Sequence, residues 1–332
     1  MRRSEQAKKF VYICLILVLV VTILFSGLRI LESTVLYRDS DESGQTATLT
    51  IERNGISYFP RQDITVILLM GIDNRGEVED SGSYDNSGRA DMVTLLIFDK
   101  TNEQLDVLCL NRDTMVDMPE LGLDGKIAGT AYGQLALSHT YGSGLKDSCQ
   151  NTKQTVSDFL YGLNINHYVA MNMDAVAILN DSVGGVTVDV TEDFSAVDPT
   201  ITQGQLTLNG QQALNYVQTR TDVDDQLNLS RMERQKKYME GLVKSFQAAN
   251  KQENFVVDTY EAVSEYIVSD FTAKSILSVL DQLSGYALDE IVSLEGENKL
   301  IEGNNGERYY EFYPDGEALD AMILRLLYAP KK

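Results

Sequence analysis

Two aspartates stand at the ends of two long apolar runs, and their placement is the first sign of a functional site. Asp73 follows the run "ITVILLMG", and Asp91 precedes the run "MVTLLIFD". If these runs are neighbouring strands, their connected ends lie at one edge of a sheet, where the two carboxylates can come together. Because ionised carboxylates repel, such a pair needs a proton or a cation between them, and Mg²⁺ suits it best. The alternative is that both aspartates cap turns.

Cationic side chains accompany the two aspartates. Strand ends on one side of an α/β sheet are where ligands usually bind. Arg231 falls in the first turn of a predicted helix, where the helix macrodipole disfavours a cation unless an anion also binds. A single arginine is more often a solvated surface charge than a ligand contact. If the fold brings several of these side chains together at an Asp–Mg²⁺ pair, they would form a pyrophosphate site. The candidates are Arg75, Arg89, Arg112, Lys126, Arg220, Arg231 and Gln235, the last of which lies one turn after Arg231.

Composition and motifs argue against several other functions. The chain has 332 residues and a formal net charge of −21, which disfavours nucleic acid as the main partner. Its two histidines are too few for the common type of zinc site. The sequence contains no Gly-x-Ser-x-Gly, Walker A or Rossmann fingerprint.

The N-terminal residues predict a single membrane anchor. Residues 1–9 form a basic tail, and residues 10–28 contain no charge. As a helix, this apolar segment would span roughly 28 Å, close to the hydrocarbon thickness of a bilayer. The basic flank predicts a cytoplasmic N-terminus and an extracellular remainder, and therefore a single-pass protein of the cell membrane. A cleaved signal peptide is the alternative, although no Ala-x-Ala-like site follows Leu28.

The remainder of the chain divides into a linker and one domain. Residues 29–62 are expected to form a stalk with one short strand, and residues 63–332 an extracellular α/β domain with helices on both sides of its sheet. The clearest helix start is at Ser230, which has with Glu233 the spacing of a capping box. Two cysteines outside the membrane segment, Cys109 and Cys149, either form a disulfide or remain buried free thiols.

From about Ile64 to about Tyr328, the sequence resembles the LytR-CpsA-Psr family of bacterial envelope proteins. No single motif is decisive, but the order and spacing of the motifs together are specific. The matching segments are "GIDNR", "RAD", "LNRDT", "KIAGTAY", "LNDSVGGVTVDV", "LNGQQALNYVQTR" and "SRMERQ".

The resemblance implies a fold and an activity. The fold would be a three-layer α/β/α sandwich with a mixed central sheet and an apolar cavity for a polyprenyl tail. The activity would be a metal-dependent phosphotransferase, with Mg²⁺ or alternatively Mn²⁺, that moves a glycopolymer from a polyprenyl pyrophosphate to peptidoglycan. Asp73 and Asp91 would hold the metal, and Lys126 would lie near the mouth of the apolar cavity. The pyrophosphate would contact Arg89, Arg112, Arg220, Arg231 and Gln235.

Phosphoryl transfer needs positioning and charge neutralisation more than covalent help from the protein, and these residue types supply both. Asp113 or Asp91 could accept the proton of the attacking hydroxyl. We expect Asp73→Ala and Asp91→Ala to abolish activity while leaving the fold largely intact, since both residues would lie at strand ends.

The sequence departs from the family pattern at three positions. Gln218 stands where the family usually has arginine, Asn228 where it commonly has an acid, and Met92 where it usually has threonine. The first two slightly favour a second hypothesis, a non-catalytic protein that holds a polyprenyl phosphate during wall assembly. A transcriptional regulator is disfavoured by the acidic charge and the absence of a DNA-reading motif.

Overall fold

The computed structural model describes residues 50–330, except for 123, 220–222, 224–227, 253, 273–278, 280–284, 304–305 and 307. The predicted basic tail and membrane segment therefore lie outside the described residues. Within those residues, no helix combines the length and the apolar character needed to cross a bilayer. The strands are β1 (Ile51–Arg53), β2 (Ile56–Pro60), β3 (Ile64–Ile72), β4 (Ala90–Asp99), β5 (Gln104–Leu110), β6 (Met115–Leu121), β7 (Ile127–Gln134), β8 (His167–Asn172), β9 (Val186–Val190), β10 (Gly204–Leu208), β11 (Ile267–Ser269), β12 (Ala287–Ser293), β13 (Gly296–Glu302), β14 (Arg308–Pro314) and β15 (Tyr328–Pro330).

Helices alternate with many of these strands. The described α-helices are α1 (Lys146–Phe159), α2 (Met173–Ser182), α3 (Gly210–Gln218), α4 (Asn228–Ala249), α5 (Phe255–Val263) and α6 (Gly316–Leu327). Asn209 caps α3 as its sequence predicts, because its side chain accepts from the Gln212 N–H and the Gln212 side chain accepts from the Asn209 N–H, in a capping box. The predicted capping box at Ser230 is wrong, since α4 already includes Asn228 and Ser230 lies inside the helix.

A six-stranded mixed sheet forms the centre of the fold, in the order β11-β8-β3-β4-β5-β12. Strands β3, β4 and β5 are antiparallel neighbours. Strand β8 runs parallel to β3 and antiparallel to β11, and β12 runs parallel to β5. The mixed α/β fold expected from the sequence is therefore confirmed. Because β3 and β4 are paired, the end of the first apolar run meets the start of the second, as the alternation of apolar and polar segments predicted.

The two faces of the sheet bury different side chains, because successive residues of a strand point to opposite faces. Leu68 and Met70 of β3 belong to the main hydrophobic core, which also contains Val156 of α1 and Ile323 of α6. The residue between them, Leu69, lines a cavity on the other face together with Leu242 of α4. Helices thus pack on both faces, and α4 is the helix that lies beside the functional end of β3.

Part of the predicted stalk belongs to the folded unit. Strands β1 and β2 form an antiparallel hairpin, and β2 pairs with the C-terminal strand β15, with Phe59 opposite Ala329. The folded unit therefore begins before Asp63. The hairpins β6–β7 and β13–β14 were also not expected, because their strands mix exposed polar and apolar residues without the continuous apolar runs of the central sheet.

Both described cysteines are free thiols, so the disulfide alternative is wrong. Burial raises the pKa of Cys109 to about 11 and raises that of Cys149 further above its ordinary value. Both thiols therefore remain protonated at neutral pH, which makes them poor nucleophiles, and both pack as small apolar side chains.

Asp106 of β5 has a buried carboxylate side chain. It lies opposite Glu290 in the parallel pairing, and its Oδ1 is buried without a hydrogen-bond partner among the described residues. Burial, reinforced by the charges of Asp289 and Glu290, raises the pKa of Asp106 from 3.8 to about 6. The ionised form of Asp106 is therefore less favourable in the folded chain than in the unfolded chain.

This raised pKa predicts a pH-dependent gain of stability for Asp106→Asn. Because the folded pKa exceeds the unfolded one, the wild-type protein loses stability as the pH rises from about 4 through about 6. Relative to wild type, Asp106→Asn should gain about 1–2 kcal/mol in the free energy of unfolding between pH 4 and pH 8, allowing for solvent screening. Urea titrations at both pH values measure it. Asp117→Asn, at an exposed position of β6, is the matched control, and a pH-independent difference for Asp106→Asn would contradict the assignment.

Candidate active site at the paired ends of β3 and β4

A β-bulge aims Asp91 into the protein. Gly71 pairs with Met92 and Ile72 pairs with Ala90, so Asp91 has no partner in the ladder between β3 and β4. A bulge of this kind redirects a side chain beside a functional site. The close approach of the strands also restricts the position opposite, because a Cβ added at Gly71 would lie 3.1 Å from Cβ of Met92. As a result, Asp91 is only 9% exposed although it lies near the start of β4.

The Asp91 carboxylate lies between two guanidinium groups. Arg112, which follows β5, donates from Nη1 to Asp91 Oδ1, and Arg231 of α4 donates from Nη1 to Asp91 Oδ2 at 3.1 Å. The side chains of Arg112 and Arg231 are 5% and 2% exposed, so both charges are removed from water. Buried charges persist only when they are paired and hydrogen-bonded, and Asp91 supplies that pairing to both arginines.

Neutral side chains complete this cluster. Asn228 accepts from Arg231 at its Oδ1 and donates from Nδ2 to Asn111 Oδ1 at 2.7 Å. The same Asn111 oxygen accepts from the Asp113 N–H at 3.0 Å. The Asn111 Nδ2 group is buried and donates to no acceptor among the described residues. A buried amide donor without an acceptor is unusual, since such groups are otherwise satisfied.

Asp113 supports Arg112 from the opposite side. Its Oδ1 lies 3.3 Å from Arg112 Nε and accepts from Gln134 Nε2 at 3.1 Å. Gln134 also donates to the Tyr310 carbonyl at 2.6 Å, which connects β7 to β14 behind the site. Asp113 is 5% exposed. Its surroundings are those of a residue that orients Arg112.

An apolar cavity opens from this cluster. It encloses about 740 Å³ including its open mouth, and it lies between β3, β4 and β8 on one side and α2 and α4 on the other. Asp91, Arg231, Gln218 and Gln235 are its polar lining residues. The rest of the lining is apolar and consists of Leu69, Gly71, Met92, Met171, Met173, Val176, Leu179, Val217, Tyr238, Met239 and Leu242. The cavity therefore has one charged end and a long apolar wall.

Two further side chains of α4 hold the segment that leads to Arg220. The guanidinium of Arg234 is fully buried, donates to the carbonyls of Tyr216 and Thr219, and lies 5.7 Å from the ring of Phe194. Gln235 donates to the Val217 carbonyl at 3.2 Å. These contacts satisfy carbonyls at the C-terminus of α3, which the helix itself leaves without partners.

The structure brings together some of the predicted site residues. Asp91, Arg112, Asp113, Arg231 and Gln235 lie at or beside the charged end of the cavity. Asp73 and Arg89 are exposed at the adjoining strand ends, where the Asp73 N–H donates to the Arg89 carbonyl at 2.9 Å.

Two other predicted cations make local ion pairs instead. Arg75 pairs with Asp174 at 3.3 Å, and Lys126 lies 3.9 Å from Asp124 in the turn between β6 and β7, with its side chain 83% exposed. Neither has a hydrogen bond or ion pair to the Asp91 cluster in the part of the chain that the structure describes. Arg220 lies outside the described residues.

A sequence model of the LytR_cpsA_psr family matches residues 31–324. The chain belongs to the LytR_cpsA_psr family. It is 29% identical over 281 residues to the polyisoprenyl-teichoic acid–peptidoglycan teichoic acid transferase TagU of Enterococcus faecalis, covering 83% of this chain and 85% of the relative. It is 30% identical over 261 residues to TagU of Halalkalibacterium halodurans, covering 77% of this chain and 76% of that protein.

Solved structures share this fold. The crystal structure of Bacillus subtilis TagV superposes with a TM-score of 0.61 at 25% identity, over 80% of this chain and 96% of that one. The Lin1025 protein from Listeria innocua gives a TM-score of 0.58 at 25% identity, over 80% of this chain and 97% of that structure. The mixed sheet of this chain is therefore the sheet of LytR_cpsA_psr proteins.

The departures from the LytR_cpsA_psr pattern fall inside the site. Asn228, at a common acid position, accepts from Arg231 as a carboxylate would but adds no negative charge. Gln218 and Met92 both line the cavity, where Gln218 carries no charge in place of arginine and Met92 is less polar than threonine. Asn228 and Gln218 thus have opposite effects on the positive charge beside the cavity mouth.

Sequence reasoning did not assign roles to three residues that the site needs: Asn111, Gln134 and Arg234. Asn111 begins the segment "NRDT", so its position after a strand was the one available signal. Arg234 lies in the segment "SRMERQ", but only its tertiary contacts with the carbonyls of Tyr216 and Thr219 show its role. The role of Gln134 likewise rests on its contacts with Asp113 and Tyr310.

The donor set fits a magnesium site of the two-carboxylate type. Asp73 is exposed, and its carboxylate has no hydrogen bond or ion pair with the described residues, so its lone pairs are available. Asp91 provides a second carboxylate at the paired ends of β3 and β4, and each of its oxygens accepts from one arginine. No group of three or more His, Cys, Asp or Glu suited to a metal occurs among the described residues, but Mg²⁺ commonly uses one or two carboxylates plus substrate phosphates.

The burial of Asp91 corrects one expectation from the sequence. Removing its carboxylate would leave Arg112 and Arg231 as buried charges without their shared acid, so Asp91 substitutions cannot leave the fold unaffected. Asp91→Asn is expected to lower the free energy of unfolding by about 3 kcal/mol, on the scale of a broken buried ion pair. Asp73→Asn is the matched control and should change it by less than about 0.5 kcal/mol, because Asp73 is exposed. Urea denaturation measures both, and equal stabilities for the two variants would contradict this assignment.

Proposed function

We propose that this chain is a membrane-anchored extracellular phosphotransferase. It would move a glycopolymer from a polyprenyl-pyrophosphate carrier to peptidoglycan. The observation that carries the proposal is the position of Asp91 and Arg231 at the charged end of an otherwise apolar cavity, with Arg112 paired to Asp91 beside them. The names of its relatives support the same reaction class, since they are transferases between polyisoprenyl-linked teichoic acid and peptidoglycan.

The cavity suits an amphiphile with an anionic head. A polyprenyl chain is apolar along its length and would gain free energy by burial against residues such as Met92, Val176 and Leu242. Its pyrophosphate would then lie at the end of the cavity beside Arg231. Methionine side chains are well suited to such a wall, because they adapt their shape to a flexible ligand.

The charged end would bind the pyrophosphate through arginines and buried donors. Guanidinium groups recognise phosphate oxygens by paired hydrogen bonds, and Asn111 Nδ2 offers a further donor. Arg231 is the fourth described residue of α4, so the N-terminal part of this helix also favours an anion. Gln235 and the exposed Arg89 would contact the outer oxygens. Arg220 would act beside them, as the family resemblance implies.

The proposed reaction replaces the phosphoanhydride bond of the donor by a phosphate ester bond to the acceptor. A hydroxyl oxygen of the acceptor attacks the phosphorus that carries the glycopolymer. The bond from that phosphorus to the bridging oxygen breaks, polyprenyl monophosphate leaves, and the hydroxyl proton passes to a base. The protein contributes mainly by placing the groups in line and neutralising charge on the phosphate oxygens.

Mg²⁺, or alternatively Mn²⁺, would be held by Asp73 and Asp91 together with pyrophosphate oxygens. When bound, the metal supplies positive charge to the bridging and leaving oxygens. Asp113 orients Arg112, and its buried carboxylate faces Arg112 and Gln134. Of the two acids considered as a base, Asp91 is therefore the better placed, because it lines the cavity.

The cellular setting follows from the N-terminal sequence. Residues 10–28 would anchor the chain in the cell membrane, with residues 1–9 in the cytoplasm and the α/β domain outside. In this topology the site would lie on the side of the membrane where peptidoglycan lies.

Activity of the full chain tests the proposal directly. Detergent-solubilised protein, Mg²⁺, a lipid-linked glycopolymer and peptidoglycan oligomers should give a linked product, and polyprenyl phosphate should be released. Asp73→Asn should reduce the rate at least about a hundredfold without loss of stability, as expected when a metal-binding carboxylate is removed. Asp258→Asn, an exposed change on α5, is the control. Full activity of Asp73→Asn would contradict the metal role.

Filling the cavity separates lipid binding from transfer. Val176→Trp on α2 should weaken binding of a long-chain polyprenyl phosphate about tenfold or more, because the indole occupies space needed by the chain. Val197→Trp, at an exposed position, should leave binding unchanged. Tight lipid binding by wild type without any product would instead support the non-catalytic lipid-binding function that Gln218 favours.

A further inference from the structure

A second cavity lies beside the same strand end and has a different chemistry. It encloses about 820 Å³ including its open side, and polar and apolar groups line it in similar measure. Ile72 lines this cavity, whereas the preceding residue, Gly71, lines the apolar cavity. Met171 of β8 borders both. The two cavities therefore flank the end of β3, immediately before Asp73.

The outer wall of this second cavity is the connection from β3 to β4, residues 73–89. Hydrogen bonds fix it along its length: the Gly76 N–H donates to Asp174 Oδ2 at 2.7 Å, and the Ser81 N–H donates to the Ser143 carbonyl at 2.9 Å. Near its other end, buried Asn86 donates to the His139 carbonyl at 2.8 Å. Because these hydrogen bonds already order the loop, binding of a ligand would cost little further conformational entropy.

The lining of the cavity includes aliphatic, hydroxyl, amide and charged groups, and its one cation other than histidine among the described residues, Arg75, is paired with Asp174. Ala170 and Val268 provide an aliphatic floor, and Ser87 provides a hydroxyl. Glu77 and Glu79 provide carboxylates that have no hydrogen bond or ion pair with the described residues. Aliphatic surface beside hydroxyl groups suits the faces and edges of a sugar ring, and unpaired carboxylates favour a ligand with a positive charge.

We propose that this polar cavity binds the acceptor of the transfer reaction, as a saccharide that bears a free amine. The inference rests on the proposed function, because a transfer between two large substrates needs a second binding site beside the first. The donor lipid fits the apolar cavity, and the polar cavity is a second recess at the end of β3. Peptidoglycan supplies this chemistry through its hydroxyl-rich glycan and the amines of its peptides.

Binding of small oligosaccharides to the full chain in detergent tests recognition apart from transfer. The probes are a glucosamine tetramer, which carries amines, and an N-acetylglucosamine tetramer, which does not. By calorimetry, the amine-bearing tetramer should bind at least about tenfold more tightly, on the scale of one or two exposed charge pairs. Glu77→Gln/Glu79→Gln should remove that preference. Glu240→Gln/Glu302→Gln, which removes two exposed carboxylates elsewhere, should keep it, and an equal loss in both double variants would overturn the proposal.

Kinetics distinguish the acceptor from the glycan part of the donor. Ser87→Trp, which fills the cavity from an exposed loop position, should raise KM for peptidoglycan oligomers about tenfold and leave donor KM and polyprenyl phosphate binding unchanged. A rise in donor KM alone would assign the cavity to the donor and contradict the proposal. If wild type shows no transfer, the proposed function fails, whereas the oligosaccharide measurements still decide whether the cavity binds an amine-bearing sugar.

Discussion

The site depends on one buried carboxylate and the two guanidinium groups that neutralise it. Asp91 comes from β4, Arg112 from the end of β5 and Arg231 from α4, so this contact joins three elements that are distant in sequence. Each of the three charges is costly to bury alone, and together they are tolerated. Three features fix the positions of these charges. They are the bulge at Gly71–Ile72, the Asn111–Asn228 hydrogen bond and the contact of Asp113 with Arg112.

Helix α4 connects the charged end with the apolar wall. Its first turns provide Arg231, Arg234 and Gln235, which contact Asp91 and the C-terminus of α3, and later turns provide Met239 and Leu242 to the cavity. Because residues three and four positions apart share a helix face, one helix can hold an anionic head and an apolar tail in line. A shift of α4 along its axis would disturb both parts of the site at once.

Sequence patterns predicted the frame of the site well. The apolar runs of β3 and β4 located the paired strand ends, and Asp73, Arg89 and Asp91 lie there as the sequence predicted, whereas Arg75 pairs with Asp174. What the pattern could not show is the bulge, which depends on pairing between distant segments and decides that Asp91 is buried while Asp73 is exposed. Other acids bind two of the predicted cations, since Arg75 pairs with Asp174 and Lys126 lies near Asp124. Nothing in the sequence spacing distinguishes those cations from Arg112. The start of α4 was misplaced because Ser230 and Glu233 satisfy a capping pattern inside a helix.

A crystal structure of the full chain with a polyprenyl pyrophosphate and Mg²⁺ would decide whether the Asp91 cluster binds the donor. We expect density for the pyrophosphate within hydrogen-bond distance of Arg112 or Arg231, with the metal on Asp73 and Asp91 and the lipid tail along Met92, Val176 and Leu242. Density for the pyrophosphate away from the Asp91 cluster, or a tail outside the apolar cavity, would contradict this expectation.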